Sequence, residues 1–248
     1  MALGARLAAE TVDGVEIQHA WASDFDLDTC NTYRRNILVP EYGEEVRVAE
    51  SARDLEGGVG VVHQNVHDLE IESLGDIEGF AFGFPCNDYS LVGEWKGLSG
   101  EYGPLYSYGV NVLASKKPKW FVAENVSGLR GANEGRAFKQ ILEHLHTIDG
   151  GPKYNLVPHL YSFDEYGVPQ RRRRIVIVGI REDVDVDFRV PSPTIYEDKN
   201  VTAKYALSVP PISADAENHE LTRQSAHVVE RLEYLLPGEN ASGSGADA

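Results

Sequence analysis

The chain has 248 residues, of which 42% are apolar and 9% aromatic, so it can bury the core of one large domain and is not disordered by composition. Its net charge is −16, from 39 acidic and 23 basic residues, and this balance taken alone disfavours a nucleic-acid partner, whose phosphates need Lys and Arg. Two cysteines, no signal-peptide pattern and no apolar run of the roughly 20 residues that a membrane span needs together predict a reduced, cytoplasmic protein.

Apolar spacing predicts regular elements along most of the chain. In order they are a helix over 3–11, a strand over 15–23, a helix over 28–37, strands over 58–66 and 77–82, a helix over 104–117, a strand over 119–125, a helix over 134–148 and a strand over 174–180. Asp28 is the predicted N-cap of the second helix, and Pro104 suits the first turn of the third. Strands thus alternate with helices, a pattern typical of an α/β doubly wound, mostly parallel sheet.

The pattern fades after residue 181, where the chain becomes acidic and is punctuated by prolines. One more helix is predicted over roughly 222–236, and the Gly- and Ser-containing end is typical of a flexible terminus. The predicted organisation is a main domain over 1–190, a connector over 191–240 and a flexible tail over 241–248.

Polar side chains follow the predicted strands at the edge where open α/β sheets bind ligands, beyond the carboxyl ends. These residues are Asp24, Asp68, Cys86, Glu124 and Asn125. Four consecutive arginines, 171–174, lie just before the last strand, so they reach the same edge only from the opposite direction or through antiparallel pairing. A thiol, carboxylates and guanidinium groups converging on one edge indicate a site.

Each of these residues also has a purely structural interpretation. A lone cysteine in a soluble domain is usually buried filler, and Cys30, within a helix, fits that description. Cys86 does not, because it follows Pro85 and precedes a polar Asn-Asp pair. Asp24 and Asp28 could cap a helix, and the arginines could form a salt-bridged surface on an acidic protein.

Three ordered motifs resemble those of the cytosine-5 DNA methyltransferases. They are "GFPCNDYS" at 83–90, "VAENVSGL" at 122–129 and "GVPQRRRRIVIVGI" at 167–180, and "WASDFDLDTCNTYRRN" at 21–36 is similar to the family's acidic cofactor motif. The resemblance covers about residues 3–181. It implies a Rossmann-like, S-adenosylmethionine-dependent methyltransferase that acts on carbon 5 of cytosine in double-stranded DNA.

The resemblance also implies roles for single residues. Cys86 would be the nucleophile that adds to carbon 6 of a flipped cytosine, Glu124 would bind ring N3 and the exocyclic amine, and Arg174, supported by Arg172, would contact the base carbonyl. The implied cofactor-binding residues are Asp24, Phe25, Asp68, Leu69, Pro85 and Leu105. The implied substrate contacts are Asn87, Ser90, Asn125 and Gln170, the segment 87–104 would be the loop that closes over the base, and no metal is expected.

The chain departs from the family in three places. The family's first strand and Gly-rich turn are not found, and "MALGARLAAE" resembles the family's segment just after that turn, so the central strand of the sheet is expected to be missing. The target-recognition domain is also not found, and 219–240 resembles the connector before it. Asn87 replaces the usual Gln, and Tyr102 and Pro104 stand where the family often has Arg and Thr.

These departures leave several hypotheses open. The chain could be a fragment, one half of a split enzyme whose second chain carries the recognition domain, or a catalytically impaired remnant that binds nucleic acid or a partner. The branch of the family that methylates tRNA is a further alternative. The expected setting is a prokaryotic or phage-encoded methyltransferase, with restriction-modification among its roles.

Overall fold

A computed structural model of the chain describes residues 1–84, 105–213, 215–216 and 223–235. The chain divides into two compact units, Met1–Lys199 and Asn200–Ala248. All seven described strands belong to the first unit. No helix within the described ranges is long and apolar enough to cross a membrane.

The strands of the first unit are short at the start of the chain and longer toward its end. They are β1 (Trp21–Asp24), β2 (Val48–Ala49), β3 (Gly60–His63), β4 (Gly79–Gly83), β5 (Trp120–Val126), β6 (Tyr154–Ser162) and β7 (Arg173–Arg181). The helices of the first unit are α1 (Ala2–Ala9), α2 (Leu27–Tyr33), α3 (Val39–Tyr42), α4 (Leu105–Lys116) and α5 (Arg136–His146). The second unit contains α6 (Ala203–Ser208) and α7 (Ala226–Glu233).

The described strands form two sheets rather than the single sheet that the pattern predicts. One is wholly parallel with the order β1-β3-β2, and the other has the order β4-β5-β7-β6, in which only β4 and β5 are parallel. The α/β class with parallel strands is confirmed. Within the described ranges no strand joins β1 to β4. The rings of Trp21 and Phe80 lie 6.0 Å apart and connect the two sheets.

The antiparallel direction of β7 answers the question that the arginine run raises. Trp120 pairs with Ile180 and Val126 pairs with Arg174, so β7 begins where β5 ends. The arginines therefore lie at the carboxyl end of β5, as the antiparallel alternative predicts.

The main core lies between the second sheet and helices α4 and α5. Its fully buried side chains include Phe121, Leu113, Ile141 and Leu145. Gly109 allows α4 to lie directly on β4, because a Cβ at this position would be 2.3 Å from the ring of Phe82. This close approach fixes the start of α4 beside the second sheet.

Several predicted boundaries are wrong for identifiable reasons. The strand predicted over 15–23 begins only at Trp21, because its partner β3 begins opposite that residue, at Gly60. The N-cap of α2 is Asp26 and not Asp28, since the Asp26 carboxylate accepts from the Thr29 N–H at 2.7 Å. Strand β6 was not predicted: Pro158 interrupts its pattern, yet β6 is an edge strand, where proline is tolerated.

Candidate active site

A carboxylate and a guanidinium meet at the carboxyl end of β5. The Glu124 Oε1 atom lies 2.7 Å from Arg174 Nε, and the two side chains are 31% and 18% exposed. The pair is thus partly shielded from water and still reachable from outside. Arg174 also donates from Nη1 to the Arg173 carbonyl at 2.8 Å, which fixes the orientation of its guanidinium plane.

The register of β5 and β7 produces this contact. Glu124 is opposite Val176, and Arg174 is two residues from Val176 along β7, so Glu124 and Arg174 are diagonal neighbours on one face of the sheet. Glu124 and Arg174 are fifty positions apart in the sequence, and it is the pairing of β5 with β7 that brings them into contact.

The end of β4 lies beside Glu124 on its other side. Gly83 pairs with Glu124, and a Cβ at Gly83 would lie 3.5 Å from Glu124 Oε2. Since Oε1 is bound to Arg174, Oε2 is the oxygen that faces β4. The chain continues from β4 into the Pro-Cys motif. Four predicted site residues, Pro85, Cys86, Asn87 and Ser90, fall at 85–104, outside the described residues.

The remaining residues of the arginine motif lie near this pair and are exposed. The Arg172 N–H donates to the Gln170 carbonyl at 2.9 Å, and the Arg172 carbonyl accepts from the Phe163 N–H at 3.1 Å, so the backbone of this turn is fixed. Arg171 lies 3.9 Å from Asp164, and the Ser162 hydroxyl lowers the pKa of the Asp164 carboxyl below its usual range. The structure thus places Gln170 and Arg172 on one ordered turn that leads into β7.

Asn125 occupies a different environment from Glu124, although the two are consecutive. Successive strand residues point to opposite faces, and Asn125 lies on the buried face together with Phe121 and Ala123. It is 3% exposed, and its side chain bonds within the protein. Its predicted contact with substrate stays a prediction.

A second group of predicted residues lies at the carboxyl ends of β1 and β3. Asp24 ends β1 and pairs with His63, which ends β3. Phe25 follows, 76% exposed, and its carbonyl lies 3.1 Å from His63 Nε2. The Thr29 backbone N–H holds the pKa of the nearby Asp26 carboxyl below its usual range, so a negative charge persists at this helix start. An exposed aromatic ring beside a carboxylate is suited to a nucleoside.

Asp68 and Leu69 follow β3 at a short 3₁₀ turn over Val66–Asp68. Asp68 is exposed and Leu69 is partly buried. The preceding residue, His67, shares a 2.7 Å hydrogen bond with the Tyr108 hydroxyl, and the two rings meet edge to face at 5.0 Å. This contact holds the turn against α4, the helix that begins with Leu105. The structure therefore brings Asp68, Leu69 and α4 to one region.

Sequence reasoning missed three polar residues at this edge. Glu50 directly follows the two-residue strand β2, and its Oε2 lies 3.7 Å from His63 Nδ1. One buried polar atom, Gln64 Oε1, has no hydrogen-bond partner among the described residues, and His63 Nδ1 has only the longer contact with Glu50. Buried polar atoms without partners are uncommon and indicate a place for a ligand or water. The position of Glu50 at this edge follows only from the pairing of β2 with β3, because a two-residue strand is too short to give a recognisable pattern in the sequence.

The residues at the first sheet fit the adenosine part of the cofactor that the resemblance implies. Carboxylates accept from ribose hydroxyls and an exocyclic amine, and an exposed phenyl ring can stack on a purine. These groups are supplied by Asp24, Phe25, Asp68 and the Gln64 oxygen, which has no hydrogen-bond partner in the described part of the chain. The fit concerns the adenosine part alone, since Pro85 lies outside the described residues.

The other cysteine is confirmed as buried filler. Cys30 is fully buried, and its thiol contacts the Asp24 carbonyl at 3.4 Å and the Val62 carbonyl at 3.8 Å. Burial raises the pKa of this thiol, so its reactive thiolate is disfavoured.

Comparisons with known proteins give matches along nearly the whole chain. A sequence model of C-5 cytosine-specific DNA methylases matches residues 2–247. The Type II methyltransferase M.BbvI of Brevibacillus brevis is 51% identical over 97% of this chain and 61% of its own length. The Type II methyltransferase M.NgoFVII of Neisseria gonorrhoeae is 37% identical over 89% of this chain and 54% of its own length. The chain thus spans between half and two thirds of these relatives.

Among solved structures, the DNMT2 of Spodoptera frugiperda aligns with a TM-score of 0.49 and 15% identity. The alignment covers 77% of this chain and 50% of that one.

Proposed function

The chain belongs to the C-5 cytosine-specific DNA methylase family, and from this premise we propose that it transfers a methyl group from S-adenosylmethionine to carbon 5 of cytosine in DNA. The observation that carries the proposal is the Glu124–Arg174 pair. It stands beside the end of β4, from which the chain runs into Pro85-Cys86. The relatives M.BbvI and M.NgoFVII are Type II methyltransferases, which supports a role in restriction-modification.

The proposed first step is attack by the Cys86 thiolate on carbon 6 of the base. Cytosine carbon 5 is a poor nucleophile until this addition makes it enamine-like, with the electron pair of the 5,6 double bond available at carbon 5. S-adenosylmethionine supplies an electrophilic methyl group on a sulfonium centre. After transfer, the carbon-5 proton is lost to a base and the Cys86 thiolate is eliminated, which restores the ring. The base must leave the duplex first, because stacking covers both faces of its ring.

Glu124 and Arg174 are proposed to bind the opposite edge of the same base. Glu124 Oε2, the oxygen not held by Arg174, would accept from the exocyclic amine, and a proton carried by the Glu124 carboxyl group would be donated to N3, where negative charge develops during the attack. Arg174 both holds Glu124 in place and can donate to the base carbonyl, with Arg172 in support. These contacts would also reject thymine, because it has a carbonyl where cytosine carries the amine.

The proposed cofactor site is the edge formed by β1 and β3. Asp24 would accept from the ribose hydroxyls, Phe25 would stack on the adenine, and Asp68 would accept from the adenine amine, with Leu69 and Leu105 alongside. This assignment is supported by the exposed ring of Phe25 and by the Gln64 oxygen, which lacks a hydrogen-bond partner within the ranges that the structure describes.

The function is tested by incubating the chain with labelled S-adenosylmethionine and either unmethylated genomic DNA or tRNA, followed by nucleoside analysis. We expect 5-methylcytosine in the DNA. Methylation found only in the tRNA would show that the chain acts like the tRNA-methylating branch of the family. If the folded chain binds the cofactor but forms no 5-methylcytosine in either substrate, the proposed activity is wrong. The chain would then be the catalytically impaired remnant that binds nucleic acid or a partner.

The cofactor assignment predicts a loss of affinity in Asp24→Asn. Asparagine keeps the carbonyl that accepts from the Asp26 N–H at 3.0 Å, so the turn survives while the charge is lost. Because hydrogen bonds to a charged group contribute about 1.5–3 kcal/mol, we expect the dissociation constant for S-adenosylmethionine to rise about 10- to 100-fold in calorimetry. The matched control is Asp28→Asn, an exposed carboxylate one helical turn away, which should bind normally. Equal affinities in both variants would contradict the assignment.

A further inference from the structure

Asn125 is the one polar side chain in the buried core of the part of the chain that the structure describes. It is 3% exposed, and both ends of its amide are bonded. Nδ2 donates to the Phe84 carbonyl at 2.9 Å, and Oδ1 accepts from the Val126 N–H at 2.8 Å. Burying an amide group costs free energy unless its donor and acceptor form hydrogen bonds. These two hydrogen bonds explain why Asn125 can lie in the core beside Phe121 and Ala123.

The bonds lie where the β4–β5 ladder stops. The last paired residues are Gly83 and Glu124, and the next residues along the strands are Phe84 and Asn125. There the side chain of Asn125, instead of its backbone, reaches across to β4. The Phe84 carbonyl is therefore satisfied although the β4–β5 ladder ends one residue earlier. The bond fixes the spacing of the two strand ends one residue beyond the ladder.

From this geometry we infer that Asn125 is a positioning residue for the reaction, an inference that rests on the proposed function. It holds the end of β4 at a fixed distance from the Glu124 side of β5, and Cys86 follows Phe84 by two residues in the sequence. Thiol and carboxylate must act on the same base. A displacement of about 1 Å between such groups can lower a rate about 100-fold, so a bond that fixes their strands has a kinetic effect.

The test uses Asn125→Asp in the otherwise unchanged chain. The aspartate is isosteric, but when ionised it has no hydrogen to donate to the Phe84 carbonyl, while protonation restores one donor and one acceptor. The readout is the rate of covalent adduct formation with DNA containing 5-fluorocytosine. We expect this rate to fall about 10- to 100-fold at a pH where the aspartate is ionised, which burial moves above the ordinary carboxyl range. The ratio of variant to wild-type rate should recover as the pH is lowered, because protonation of the aspartate restores the bond.

Two further measurements separate positioning from mere stability. Affinity for S-adenosylmethionine should stay within about twofold of wild type, since Asp24 and Asp68 lie on other elements. The matched control is Asn155→Ala, an exposed asparagine on β6 of the same sheet, which should form adduct normally. A wild-type adduct rate in folded Asn125→Asp, or a rate ratio that does not depend on pH, would overturn the inference.

A thiol measurement keeps this test independent of the proposed function. Alkylation of Cys86 by iodoacetamide, followed by mass spectrometry, needs no DNA or cofactor, and alkylation of the buried Cys30 would report loss of the fold. We expect Asn125→Asp and Asn125→Ala to change the Cys86 rate at least about threefold. If wild type forms no DNA adduct, the proposed function fails, whereas equal alkylation rates in all three proteins would refute the positioning role.

Discussion

Replacing Cys86 with serine should abolish methyl transfer while leaving the affinity for S-adenosylmethionine unchanged. A thiolate is accessible near neutral pH, whereas a serine hydroxyl stays protonated and attacks the pyrimidine ring poorly. We expect the transfer rate to fall by on the order of 10⁴-fold or more, since loss of the nucleophile removes the covalent step. The adduct with DNA containing 5-fluorocytosine should disappear from a denaturing gel.

The chain supplies its own control for this experiment. Cys30→Ala removes the other thiol, which is fully buried in an apolar cluster and whose sulfur hydrogen-bonds to the Asp24 and Val62 carbonyls. It should lose a little stability and still form the adduct at a permissive temperature. An adduct that persists in Cys86→Ser, or one lost in folded Cys30→Ala, would show that the nucleophile is wrongly assigned.

The sequence was most informative where an apolar run ends abruptly in a polar residue. "KWFVAEN" correctly predicted a strand that delivers Glu124 to the carboxyl edge of the sheet, and "RIVIVGI" correctly predicted strand β7 after the arginine run. It could not show that Glu124 and Arg174 are in contact. That contact depends on the direction and register of two strands, which the local pattern of either strand does not determine.

Other features escaped prediction for local reasons. Glu50 follows a two-residue strand that only its partner β3 defines. The face on which Asn125 lies could have been predicted, because Glu124 and Asn125 are consecutive in a strand and must point to opposite sides. The alternation of strands and helices did not predict that the strands form two sheets. That pattern indicates the fold class and the parallel direction of the strands, but it does not show whether neighbouring strands belong to one continuous sheet.

Glutamine in place of Glu124 should lower methyl transfer about 10²- to 10³-fold, the effect expected when one preorganised group that stabilises developing charge is removed. Glutamine keeps the volume and can still accept a hydrogen bond from Arg174, so the strand ends should hold. It removes the negative charge that Arg174 now faces at 2.7 Å. The affinity for S-adenosylmethionine should not change, because Asp24 and Phe25 belong to β1 and the turn after it.

The matched control is Glu78→Gln at the opposite end of the same sheet, where β4 and β5 begin. Glu78 immediately precedes β4 and forms an exposed ion pair with Lys119, which precedes β5, so both variants break a Glu–cation pair between neighbouring strands. Exposed ion pairs contribute little to stability, and this one lies away from the carboxyl ends, so methyl transfer should stay within about twofold of wild type. If both variants lose activity equally, Glu124 acts through stability. If neither loses activity, Glu124 does not bind the base, and the arginine motif alone must distinguish cytosine from thymine.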